Sequence, residues 1–119
     1  MMQNKVQLIT YADRITGQDI NALTTLLNGS LKGVFGGVHL LPFYNPIDGS
    51  DAGFDPINHS EVDSRIGSWE DIKALGNNHD LMADLIVNHV SAQSFQFQDV
   101  LAKGKASEFW DLFLTKEDV

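Results

Sequence analysis

Apolar positions along the chain switch between a strand rhythm and a helix rhythm. Val6-Gln7-Leu8-Ile9-Thr10-Tyr11 is rich in β-branched and aromatic residues and predicts a buried strand. Ile20, Leu23, Leu26 and Leu27 then recur at helical spacing, and Asn28-Gly29 marks the stop. Gly37-Val38-His39-Leu40-Leu41 predicts a second strand, ended by Pro42, which has no N–H to donate. Residues 42–67 hold three prolines and many carboxylates and predict one long loop, a length usually kept for function. Ser68 is the expected N-cap of a helix with Glu70 and Asp71 in its first turn and Ile72 and Leu75 on its apolar face. Leu81-Met82-Ala83-Asp84-Leu85-Ile86-Val87 predicts a third strand, apolar at nearly every position, as in parallel sheets covered by helices. A helix over 94–103 stopping at Gly104, and a last helical turn near 107–114, complete the pattern.

That order is α/β with parallel strands. Three such strands leave two apolar edges unpaired, and no closing strand follows the last helix. The expectation is therefore an N-terminal portion, residues 1–119, of a larger β/α protein.

Composition narrows the function classes. With 119 residues, no cysteine and a net charge of −8, disulfide and thiolate chemistry are excluded and a nucleic-acid partner is not expected. No apolar run approaches the roughly 20 residues that span a bilayer, so no membrane partner is expected. The N-terminus shows no secretory h-region. A cytoplasmic location is expected, and the sequons at Asn28 and Asn58 read as chance.

Candidate chemistry gathers in the long loop, where Asp48, Asp51, Asp55, His59, Glu61 and Asp63 lie close in sequence. Their spacing fails the alternate-position pattern of a calcium loop, so no metal site is assigned and most of these acids read as a solvated loop. Asp51 is the exception, because Ala52-Gly53-Phe54 follows it. A carboxylate beside an exposed aromatic offers a sugar an acceptor for hydroxyls and a flat apolar face. His89 follows Asn88 after the third strand, and in β/α barrels residues at strand C-termini face the active site. His39, inside the second strand, is expected to be structural, and His79, in a helix-to-strand turn, solvent-facing. Asp84, early in the third strand, is expected to support the Asn88-His89 turn, bonding loop backbone or pairing with an Arg. Gly-rich phosphate loops and a Gly-x-Ser-x-Gly elbow are absent.

Asp84-Leu85-Ile86-Val87-Asn88-His89 resembles the first conserved region of glycoside hydrolase family 13, the α-amylase family. Gln7 to Asp13, Gly37 to Phe43, Asp48 to Pro56, Val62-Asp63, Gly67-Ser68-Trp69 and Phe97 to Gly104 extend the likeness, within that family, to the sucrose phosphorylases. The resemblance implies a (β/α)₈ TIM barrel, of which this chain would supply about three units. It implies retaining glucosyl transfer from sucrose to inorganic phosphate, without a cofactor, giving α-glucose 1-phosphate and fructose. By that likeness Asp51 and His89 hold glucosyl hydroxyls, with His89 as a donor, and Phe54 forms the platform under the ring. Retaining chemistry needs two carboxylates roughly 5 Å apart. The family takes them from later strands, so no catalytic residue is expected among residues 1–119, and the chain alone would be inactive. Asn88 is left as structural. Phosphorylases of sucrose 6-phosphate or glucosylglycerate and α-glucosidases of the same family stay open, as do a homodimer and a non-catalytic sugar-binding or interaction module.

Overall fold

A computed structural model describes residues 3–47 and 50–119. Strands β1 (Gln7–Thr10), β2 (Gly37–Leu40) and β5 (Asp80–Ala83) form a parallel sheet in the order β1-β2-β5. Helices α1 (Ile20–Asn28), α2 (Trp69–Gly76) and α3 (Phe95–Lys103) lie between and after them. The α/β reading with parallel strands holds.

The helices start where local chemistry favours it. Asp19 accepts from the Ala22 amide at 2.8 Å and caps α1. Ser68 and Asp71 form a reciprocal capping box at α2, with the Ser68 amide donating to Asp71 Oδ2 at 2.8 Å. Caps of this kind are worth about 1 kcal/mol each. Ile20, Leu23 and Leu27 of α1 and Leu75 of α2 then pack on Val38 and Leu40 of β2, all nearly or fully buried. Each such side chain contributes roughly 1.5–3 kcal/mol on leaving water.

Residues paired across a parallel sheet point to the same face. Ile9, His39 and Met82 are one such row, opposite the helices. Ile9 is 63% and Met82 46% exposed, so this face carries no cover among the described residues. The third strand is thus uncovered on this face among the described residues. That strand is also shorter than the apolar run 81–87 predicts. It pairs with β2 only as far as Leu40↔Ala83, because Pro42 cannot extend the ladder on the β2 side.

Residues 42–67 are not one irregular loop. β3 (Tyr44–Asn45) and β4 (Asn58–Val62) pair antiparallel within them. A ribbon this short is marginal alone, and three contacts dock it. Trp69 Nε1 donates to the Ser60 carbonyl at 2.9 Å. The Trp69 ring meets Phe43 edge-on at 5.7 Å. The third contact is Asp63.

Asp63, expected in a solvated acidic loop, is 2% exposed. Its Oδ1 accepts from the Arg65 amide and Nε, both at 3.0 Å. Its Oδ2 accepts from Arg65 Nη2 at 2.6 Å and from the Ile47 amide at 3.1 Å. A buried carboxylate is tolerated only with its lone pairs filled, and here they are. The Arg65 side-chain bond, with help from the Arg65 and Ile47 amides, lowers the Asp63 pKa to about 2. A depressed carboxylate stabilises the fold above its unfolded pKa, and that contribution fades as pH falls through the folded value. Asp63→Asn is therefore expected to be less stable than the parent at neutral pH. The gap should narrow below about pH 4 and close near pH 2. Urea midpoints of the full-length protein at each pH, followed by tryptophan emission, measure it.

Candidate functional site

The site candidates sit past the C-terminal ends of β2 and β5. Asp51 and Phe54 belong to the segment between β3 and β4, and His89 to the segment after β5. Asp48 lies outside the described residues. Ser50–Gly53 form a tight left-handed turn in which Asp51, Ala52 and Gly53 take φ of 57°, 54° and 88°. For residues other than glycine this left-handed region costs roughly 1–2 kcal/mol each. Gly53 is required for a second reason, because a Cβ there would stand 2.8 Å from the Ile47 carbonyl. The Phe54 amide closes the turn on the Asp51 carbonyl at 3.0 Å. The Asp51 side chain is left exposed, and Phe54 is half-buried against the edge of the core.

Two bonds staple this turn to the segment after β5. His89 Nε2–H donates to the Phe54 carbonyl, and the Ser91 amide donates to the Pro56 carbonyl at 3.0 Å. Asp51 and Phe54 are thus joined to His89, 35 positions beyond Phe54, past the strand ends. With Nε2–H committed to Phe54, a neutral His89 offers its Nδ1 as an acceptor.

A second polar group stands behind them. Asp84 Oδ2 meets His39 Nε2 at 3.1 Å, and Tyr44 Oη donates to the Asp84 carbonyl at 3.1 Å. The partner of Asp84 is a histidine of the neighbouring strand, in place of the loop backbone or Arg expected. Asp84 also lies just past the end of β5 and not early in a strand. Burial, and secondarily the Asp84 charge, raise the Tyr44 pKa and keep its hydroxyl a donor.

The other sequence candidates scatter. Glu61 is exposed, and Asp63 turns inward to Arg65. His59 borders a cavity with Asn58, Asn88, His89, Gln96 and Phe113. Among the described residues no three His, Cys, Asp or Glu side chains converge as a metal site would require. His79, expected to face solvent, is 7% exposed, and the next residue ties its turn to the start of β2, the Asp80 amide donating to the Gly36 carbonyl. Tyr11 is the residue the sequence reading missed, whereas Asp63 was noticed but read as solvated. Tyr11 Oη donates to the Ala52 carbonyl at 2.7 Å. Its signal, a tyrosine directly after a strand, is common to many sequences.

No helix among the described residues is long and apolar enough to cross a membrane. The family model described as alpha amylase, catalytic domain, matches residues 31–119. The chain is 62% identical over 114 residues to a sucrose phosphorylase of Agrobacterium vitis, covering 96% of this chain and 23% of that protein. It is 48% identical over 114 residues to a sucrose 6(F)-phosphate phosphorylase of Thermoanaerobacterium thermosaccharolyticum, again covering 96% of this chain and 23% of that one. The crystal structure of a sucrose 6F-phosphate phosphorylase from Thermoanaerobacter thermosaccharolyticum superposes with a TM-score of 0.91 at 44% identity, over 100% of this chain and 24% of that one. The chain thus spans about a quarter of the length of these relatives, and its parallel sheet is the N-terminal part of a (β/α)₈ barrel. With a family match over most of its length, the chain belongs to the alpha-amylase family.

Proposed function

We propose that the chain is the N-terminal portion of the catalytic barrel of a sucrose phosphorylase, and that it supplies part of the glucosyl-binding subsite. The observation that carries this reading is the His89–Phe54 contact, which joins the Asp51 turn to the Asn88-His89 segment in a chain 62% identical to such an enzyme. Asp51 accepts hydrogen bonds from glucosyl hydroxyls, Phe54 lies under the ring, and His89 adds a polar contact while bracing the turn. The reaction breaks the bond between glucosyl C1 and the fructosyl oxygen. That oxygen takes the proton of a carboxylic acid, and the glucosyl group passes to a carboxylate nucleophile. Attack by inorganic phosphate then releases α-glucose 1-phosphate with net retention. Both carboxylates come from later strands of the barrel, and no residue of this chain is assigned to either role.

The full-length protein is expected to form α-glucose 1-phosphate fastest from sucrose plus phosphate. Sucrose 6-phosphate and glucosylglycerate serve as parallel donors, and a higher rate with either reassigns the donor. No glucose 1-phosphate from any donor favours a non-catalytic sugar-binding module.

The subsite is tested in a chimera in which this chain replaces the matching N-terminal quarter of the Agrobacterium vitis enzyme. A charge-assisted hydrogen bond is worth roughly 1.5–3 kcal/mol, so Asp51→Ala should lower kcat/KM about 10- to 150-fold with the fold intact. His89→Gln keeps an N–H near the Phe54 carbonyl and should retain about 2- to 10-fold more activity than His89→Ala. Neither His89 change should alter the anomer formed, read by proton NMR of the product. Equal total loss in both His89 variants, or an inverted product, would count against a binding role.

Expressed alone, the chain should self-associate through the bare sheet face carrying Ile9 and Met82 and the open edges of β1 and β5. Light scattering behind size exclusion checks this. A monodisperse, cooperatively melting monomer would overturn the view that further strands complete the sheet.

A further inference from the structure

The turn that carries Asp51 is strained, and one contact that holds it comes from a residue with no part in the proposed sugar contacts. Asp51 and Ala52 both take positive φ, and the peptide between Ala52 and Gly53 lies inside that left-handed run. Such a backbone persists only where its surroundings fix it. The Ala52 carbonyl is the hydrogen-bond acceptor of Tyr11 Oη at 2.7 Å. Tyr11 directly follows β1, so the hydroxyl is held from the sheet and not from the loop. Its ring is braced in turn by the Arg14 guanidinium, 5.6 Å from the ring centre. From the other side, Gly53 rests on the Ile47 carbonyl, and the Ile47 amide is bound by Asp63. The turn is gripped from β1 and from the buried carboxylate, and the Tyr11 bond is the grip nearest to Asp51.

We infer that Tyr11 is a positioning residue for glucosyl binding, its hydroxyl holding the Ala52 carbonyl so that the Asp51 carboxylate stays turned toward the substrate. This inference rests on the assignment of Asp51 to the glucosyl subsite. Released from Tyr11, the Ala52 segment gains a path back to negative φ, which any residue but glycine favours. That relaxation rotates the Asp51 backbone and swings its carboxylate out of register with the sugar. Tyr11 itself reaches the Ala52 carbonyl and contributes no group to the reaction.

The test is a double-mutant cycle in the chimera. Tyr11→Phe keeps the ring and the Arg14 contact and removes only the hydroxyl. It is expected to lower kcat/KM for sucrose phosphorolysis about 3- to 10-fold, the range for one neutral hydrogen bond. Placed on Asp51→Ala, the same change should cost less than about 2-fold, because the group it positions is gone. A general structural role would instead give the full factor in both backgrounds, together with an equal fall in melting temperature. That result, or unchanged kcat/KM in Tyr11→Phe alone, overturns the inference. Full activity in Asp51→Ala would instead remove the glucosyl-site reading itself, and the positioning role with it.

Discussion

A carboxylate with 2% exposure governs how the excursion between β2 and α2 can fold. Asp63 cannot stay ionised in that position unless its oxygens are bonded, and most of the bonds come from one flexible arginine two residues away. The remaining one comes from the Ile47 amide, sixteen residues back in the chain. Filling that last acceptor site draws the start of the excursion onto its end. The ribbon of β3 and β4, whose first strand is two residues long, has too little ladder to do this alone. Ile47 then sets the floor on which Gly53 turns, and the Asp51 turn inherits its place from there. A single buried charge thus reaches the site through one amide, one carbonyl and one glycine.

Much of the scaffold was legible because its signals are local. α1, α2 and α3 each begin at a residue whose side chain caps the helix: Asp19, Ser68 and Ser94. Their apolar spacing needs no knowledge of the partner. The third strand was misjudged because seven consecutive mostly apolar residues say nothing about where pairing stops. Its end is set by β2, about forty residues earlier in the chain, where Pro42 closes the ladder. His39 and Asp84 are 45 positions apart and meet only because β2 and β5 are neighbours in the sheet. The antiparallel ribbon was hidden by the prolines around it, which read as loop and in fact flank the paired residues.

The site shows the same division. Asp51 and Phe54 stand out in sequence as a carboxylate and an aromatic around a glycine, and the family likeness gives them and His89 a meaning. Tyr11 carries no such mark, and neither does the bond from the Ile47 amide to Asp63, because both contacts involve main-chain groups. A carbonyl or an amide has the same chemistry in every residue, so its partner leaves no trace in the side-chain pattern. The turn at Asp51 to Gly53 is legible only at Gly53. The positive φ of Asp51 and Ala52 is imposed by surroundings that sequence spacing does not reveal.

The two faces of the sheet meet different demands. Val38 and Leu40 press into α1 and α2, where burial supplies the stability. The row of Ile9, His39 and Met82 faces away, the side that a barrel's interior would fill with layers of side chains. His39 is the polar member of that row, and its bond to Asp84 fastens the start of the segment that leads to His89. Tyr44 bonds the carbonyl of the same residue and keeps its proton because burial disfavours the phenolate. His89 therefore leaves from an anchored root and ends against Phe54, while the Asp51 turn is anchored through Tyr11 and Asp63. Each side of the candidate site has its own footing, so the two bonds between them, His89 to Phe54 and Ser91 to Pro56, can set their separation without also having to hold either one in place.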